Sequence, residues 1–134
     1  MIRWLAVLVG SITAVGLRLG LAQVITRTGL SGPLVAPLIQ ELLALGLAGF
    51  VAGHFANRWH IGNAVLAAGG YIMIAATMVA FDEAQRVSTV GLAGLPPIDP
   101  WQLAAGDVIG LTAASVGGWL AARGAPDPET TDLR

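Results

Sequence analysis

The stretch Ala44-Leu45-Gly46-Leu47-Ala48-Gly49-Phe50-Val51-Ala52-Gly53-His54-Phe55-Ala56-Asn57-Arg58-Trp59-His60-Ile61-Gly62 decides how this chain is organised. Up to Ala56 it is apolar, with alanines at positions 44, 48, 52 and 56 beside a Gly49-x-x-x-Gly53 pair. Asn57–His60 interrupts it briefly, and apolar sequence resumes at Ile61. A repeat of four residues is the stripe of a helix and not the alternation of a strand. Two apolar helices joined by so short a turn must run antiparallel, as a helical hairpin.

Working outward, the first of these helices begins near Leu34 and the second runs Ile61–Phe81. Two further apolar runs lie at Ile2–Ile25 and Pro100–Ala122. Each has the roughly 20 residues that cross a hydrocarbon core. Thr26–Pro33, with Arg27, Gly29, Gly32 and Pro33, reads as a tight turn. Pro37 falls in the first turn of its span and biases Ala36 away from helix, which predicts a regular start at Pro37. Asp82–Asp99 is expected to be the one long loop, with Asp82, Glu83, Arg86, Pro96 and Pro97. It ends in Asp99-Pro100-Trp101-Gln102, an N-cap, a first-turn proline and a glutamine at the third position. The expected fold is all-α: an integral membrane four-helix bundle of two antiparallel hairpins. One domain covers residues 1–123, and a polar tail covers 124–134.

Composition agrees. Of 134 residues, 55% are hydrophobic and 11% charged, and the mean hydropathy is +0.74. That is less than half the charge of an ordinary soluble domain. It argues against a soluble enzyme and a disordered tail, and scattered arginines build no patch for nucleic acid. With no cysteine there is no disulfide framework or thiolate metal site. His54 and His60 read as interfacial residues, not metal ligands, because no carboxylate accompanies them.

The arginines set an orientation. In a four-span chain the N-terminus, the Asn57–His60 turn and the C-terminus share a side, which holds Arg3, Arg58, Arg123 and Arg134. Arg27 and Arg86 lie on the other side. Both termini are therefore expected in the cytoplasm, across the cell (inner) membrane. Trp4, Trp59 and Trp119 then mark the cytoplasmic interface and Trp101 the outer one. Arg3, the apolar run Trp4–Leu17 and the small Gly20 and Ala22 also have the form of a cleavable signal peptide, which Arg18 fits less well.

Every fourth residue is small on several spans. The first gives Ala6, Gly10, Ala14, Arg18 and Ala22, and the fourth gives Gly106, Gly110, Ala114, Gly118 and Ala122. Gly49 and Gly53 sit on the second, and Ala64, Ala68, Ala76 and Ala80 on the third. Small faces permit the close approach on which helix association in lipid depends. A weak repeat, Gly49-Phe50-Val51-Ala52-Gly53 against Gly118-Trp119-Leu120-Ala121-Ala122, suggests two similar hairpins in parallel orientation.

Arg18, Glu41 and Asp107 lie within apolar spans, where ionisable groups are functional candidates. All three fall about 10 Å inside the outer interface at 1.5 Å per residue. The simplest reading is a buried ion pair that fixes helix register. A second is proton exchange during transport, because one arginine cannot neutralise two carboxylates. A third is an anion or lipid headgroup at Arg18. Gln40 and Tyr71 add polar capacity nearby.

Ala48-Gly49-Phe50-Val51-Ala52-Gly53-His54-Phe55-Ala56 and Gly117-Gly118-Trp119-Leu120-Ala121-Ala122-Arg123 resemble the helix ends of small, largely uncharacterised four-span bacterial membrane proteins. That resemblance implies membrane location and no particular activity. Gly10 to Gly16-Leu17-Arg18 is also similar to the first span of bacterial fluoride channels. Those channels carry an asparagine in the second span and a Phe-bearing break in the third. Here Leu34–Ala56 has no asparagine, and Ala68–Thr77 has no phenylalanine.

No nucleophile–base pair, metal set or phosphate loop stands out, so neither an enzyme nor a cofactor is expected. The expected role is a structural or accessory subunit of a membrane assembly. Its partners would be the lipid bilayer and either its own copies or another membrane protein. The alternative is an oligomeric small-solute or ion transporter or channel using the intramembrane cluster of Arg18, Glu41 and Asp107.

Overall fold

The computed structural model describes residues 2–29, 35–91 and 100–125. They form four helices: α1 (Trp4–Thr28), α2 (Val35–His54), α3 (His60–Val90) and α4 (Pro100–Arg123). By length and composition α1, α3 and α4 are apolar enough to cross a membrane, whereas the apolar part of α2, Leu38–His54, is shorter. The Leu92–Asp99 part of the expected loop, with Pro96, Pro97 and the Asp99 cap, lies outside the described residues. So do Leu30–Leu34 and 126–134.

Helix ends follow local chemistry. α1 runs past Ile25 to Thr28 and stops at Gly29, whose φ of 69° is the left-handed conformation that glycine adopts freely. α2 begins at Val35, ahead of Pro37. A proline at the third helical position costs little, because its missing N–H would have no partner within the helix. The turn between α2 and α3 closes through Trp59, the one described non-glycine residue with positive φ, at 62°.

The largest departure from expectation is at α3. Asp82–Val90 continue the helix and do not open the loop. Polar residues lower the hydropathy there but favour helix: Arg86 pairs with Asp82 one turn away at 3.0 Å, and Ala84 and Gln85 are good helix formers. The helix ends at Gly91, which has φ 76° and whose N–H bonds the Val87 carbonyl.

The helices pack as a rhombus. α2 and α3 touch each other and both touch α1 and α4, while α1 and α4 do not meet among the described residues. α2 packs most extensively on α4, and the two run parallel: Leu45 lies against Gly110, Gly49 against Ala114, and Gly53 against Gly118. A Cβ on Gly49 or Gly117 would collide with the backbone of the facing helix. On α1, a Cβ at Gly10 would stand 2.7 Å from both Ala52 and Ala67. Small residues here set helix separation.

Packing is confined to one half of the bundle. The described buried helical residues fall between Ala6 and Ala14 on α1, Ala44 and Gly53 on α2, Asn63 and Tyr71 on α3, and Gly110 and Ala121 on α4, with Ala56 buried in the turn. Ala14, Leu45, Ala48, Ala68, Tyr71 and Ala114 form its innermost layer. Beyond them the ladders lose their partners: Ala76 and Ala80 are exposed, and Ala22 is half-buried.

Candidate functional site

The Arg18 layer stands where packing stops. Arg18 is one turn beyond the fully buried Ala14 on α1. Its Nη1 donates to the Tyr71 hydroxyl of α3 at 2.5 Å, and its Cζ lies 5.7 Å from the centre of the same ring. The Tyr71 body is buried in the core, so a phenol anchored in apolar packing presents its polar tip to the cation. From α2, Gln40 Nε2 donates to the backbone carbonyl of Arg18 at 2.6 Å. These bonds tie α1 to α3 and to α2 at one level.

Glu41 is half-buried beside this pair, and both Arg18 and Asp107 lie within its electrostatic reach. Neither carboxylate touches the guanidinium. Among the described residues, the only ion pair within 4.0 Å is Arg86–Asp82, far along α3. The expected direct pairing of Arg18 with Glu41 or Asp107 is therefore replaced by Arg18–Tyr71. The rhombus explains part of this, since α1 and α4 lie across its long diagonal and do not meet among the described residues. Arg18 and Asp107 are both exposed on the isolated chain, and Asp107 has no hydrogen-bond partner in the described structure. Among the described residues, no three His, Cys, Asp or Glu side chains converge as a metal site.

The small residues singled out by sequence divide in two. Gly10, Ala14, Gly49, Gly53, Gly110, Ala114 and Gly118 sit at helix contacts. Gly106 faces open space, because α4 has left the packed half by that point.

A second polar cluster, at the α2–α3 turn, carried no clear sequence signal. Asn63 is fully buried. Its Oδ1 accepts the Arg3 N–H at 2.9 Å, and its Nδ2 donates to the carbonyls of Trp59 and Arg58. Arg3 Nη1 bonds the Phe55 carbonyl at 3.0 Å and Asn57 Oδ1 at 2.8 Å. His60 Nδ1 lies 2.7 Å from the Gly53 carbonyl. The start of α1 is thus bonded to the turn that closes the α2–α3 hairpin. Ser11 bridges α1 to the Ala67 carbonyl at 2.9 Å. The available signal was the spacing of Asn63, Ala67 and Tyr71, which share a face at intervals of four.

Comparison with protein-family models, with curated proteins and with solved structures finds no match to the chain.

Proposed function

We propose that the chain is a multi-pass protein of the cell (inner) membrane, with both termini cytoplasmic, acting as a non-enzymatic structural or accessory subunit of a membrane assembly. The observation that carries this reading is the layer of Arg18, Glu41 and Asp107, which makes no ion pair among the described residues. In a bilayer these positions lie roughly 9–15 Å from the nearer helix ends, at 1.5 Å per residue. A charge facing lipid at the bilayer centre costs about 2.5–3.5 kcal/mol on insertion scales, and less toward the interface. A neighbouring helix offering polar or charged groups removes much of that cost. Asp107, the exposed carboxylate of the layer, is the first candidate for such a contact. Affinity purification of the full chain from mild detergent, followed by mass measurement of the intact complex, tests the reading. Recovery of a bare monomer refutes it.

A second reading is favoured by the end of packing at this same layer. Arg18, Glu41, Asp107 and the Tyr71 hydroxyl sit at the border of the unpacked half, where copies of the chain can enclose a polar path. In proteoliposomes under a pH gradient, solute or proton flux that is unchanged by Glu41→Gln and Asp107→Asn refutes proton-coupled transport.

A further inference from the structure

A groove of about 690 Å³ lies between α2 and α4, lined by residues of these two helices alone. Its floor includes Gly46 and Gly117, where a Cβ on Gly117 would strike the Gly46 carbonyl and the Phe50 nitrogen. Because the backbones meet there, Leu43, Leu47, Phe50, Val116 and Leu120 rise on either side as walls. Thr112 also lines it, but its hydroxyl already bonds the Val108 carbonyl at 2.7 Å. The lining therefore offers an occupant almost nothing but apolar surface.

The two ends of the groove differ. Along α4 it extends from Val108 to Leu120, about 18 Å at 1.5 Å per residue. One leaflet of a hydrocarbon core is about 15 Å deep, half of its 30 Å thickness. Val116, Leu120 and Arg123 follow at intervals of four and three, so Arg123 continues the groove face at its end. The Arg123 guanidinium stands over the Trp119 ring, with Cζ 3.7 Å from its centre. Stacking fixes the plane of the fork and leaves its N–H edges open. Among the described residues it has no acidic partner. Arg58 lies in the turn at this same end, while the described acids, Glu41, Asp82, Glu83 and Asp107, all belong to the other half of the molecule.

An apolar channel one leaflet deep with a cation at its interfacial end complements one class of molecule. We propose that the α2–α4 groove holds an acyl chain of an anionic phospholipid whose phosphate binds Arg123. A guanidinium recognises phosphate oxygens through paired N–H bonds. The proposal rests on the membrane reading above, with this end at the cytoplasmic interface.

Native mass spectrometry of the full chain in a mild non-ionic detergent tests it, with phosphatidylglycerol, phosphatidylcholine of the same acyl chains, and inorganic phosphate as probes. One phosphatidylglycerol per chain is expected, preferred over phosphatidylcholine about fivefold, the ratio equivalent to ~1 kcal/mol for one arginine at an anionic surface. Arg123→Gln, at an exposed position, should abolish the preference. Leu47→Trp, which narrows the groove from one wall, should weaken both lipids. Inorganic phosphate should not compete. Equal binding of the two lipids, a preference that survives Arg123→Gln, or displacement by phosphate alone overturns the proposal. So does a disulfide between two copies carrying Leu47→Cys, which would seat a second chain in the groove. Carbonate extraction keeps the two readings apart. Release of the chain from membranes defeats the membrane reading, whereas a resistant chain without lipid preference defeats the groove proposal alone.

Discussion

Arg18 on α1 is held by the hydroxyl of Tyr71 on α3, 2.5 Å from Nη1, while both carboxylates of the same layer stand off from it. Among the described residues, the direct partner of the cation is therefore a phenol rooted in the core. This bond joins α1 to α3 at the border between the packed and unpacked halves.

A double-mutant cycle in detergent separates these partners. Arg18→Leu with Tyr71→Phe should show a coupling of about 0.6–1.7 kcal/mol, the range of polar contacts between membrane helices. Arg18→Leu with Glu41→Leu should show a smaller one, because the pair interacts without contact. Thermal stability gives both numbers, and the reverse order contradicts the described geometry.

Glycine substitutions should split into two classes. Gly49→Ala and Gly117→Ala drive a Cβ into facing backbone and should cost about 1–3 kcal/mol as overpacking. Gly16→Ala and Gly106→Ala meet nothing within 4 Å and should be neutral or stabilising by up to ~1 kcal/mol. Melting temperatures of the four variants check this, and equal losses at all four would refute it.

Asn63→Leu removes the acceptor of the Arg3 N–H and the donor to two turn carbonyls. These bonds are part-buried, and losing them should cost about 1 kcal/mol. The start of α1 should also loosen, which hydrogen exchange at Trp4–Val7 would report. Unchanged protection there would show that Asn63 does not anchor α1.

The proposed orientation has its own test. A cysteine replacing Ser88, exposed near the end of α3, should react with an impermeant thiol reagent on intact cells. One replacing Asn57, in the α2–α3 turn, should react only after permeabilisation. The opposite pattern reverses the orientation.

The apolar stretches and the Asn57–His60 turn were legible because periodicity and hydropathy speak directly to helices and their ends. The Asp82–Val90 extension was not, since hydropathy cannot separate a polar helix from a loop. The i,i+4 spacing of Asp82 and Arg86 was the neglected signal. Depth placed Arg18, Glu41 and Asp107 at one level, and Glu41 does lie within electrostatic reach of the other two. Depth carries no lateral information, however. α1 does not meet α4 among the described residues, which separates Arg18 from Asp107. Tyr71 and not Glu41 takes the guanidinium, although α1 touches both α2 and α3. Gly106 illustrates the same gap: its ladder is continuous in sequence, but the packing it implies ends one turn away at Gly110.

The missing contact between α1 and α4 among the described residues bears on the order in which the chain assembles. α1 is synthesised first, yet Gly10 needs both Ala52 of α2 and Ala67 of α3 around it, and Arg3 needs the turn between them. Its docking site is complete only once the third helix has been made. α4 arrives last and finds α2 and α3 already joined, without having to displace or wait for α1. The central hairpin thus carries both outer helices, each of which can dock on it without the other.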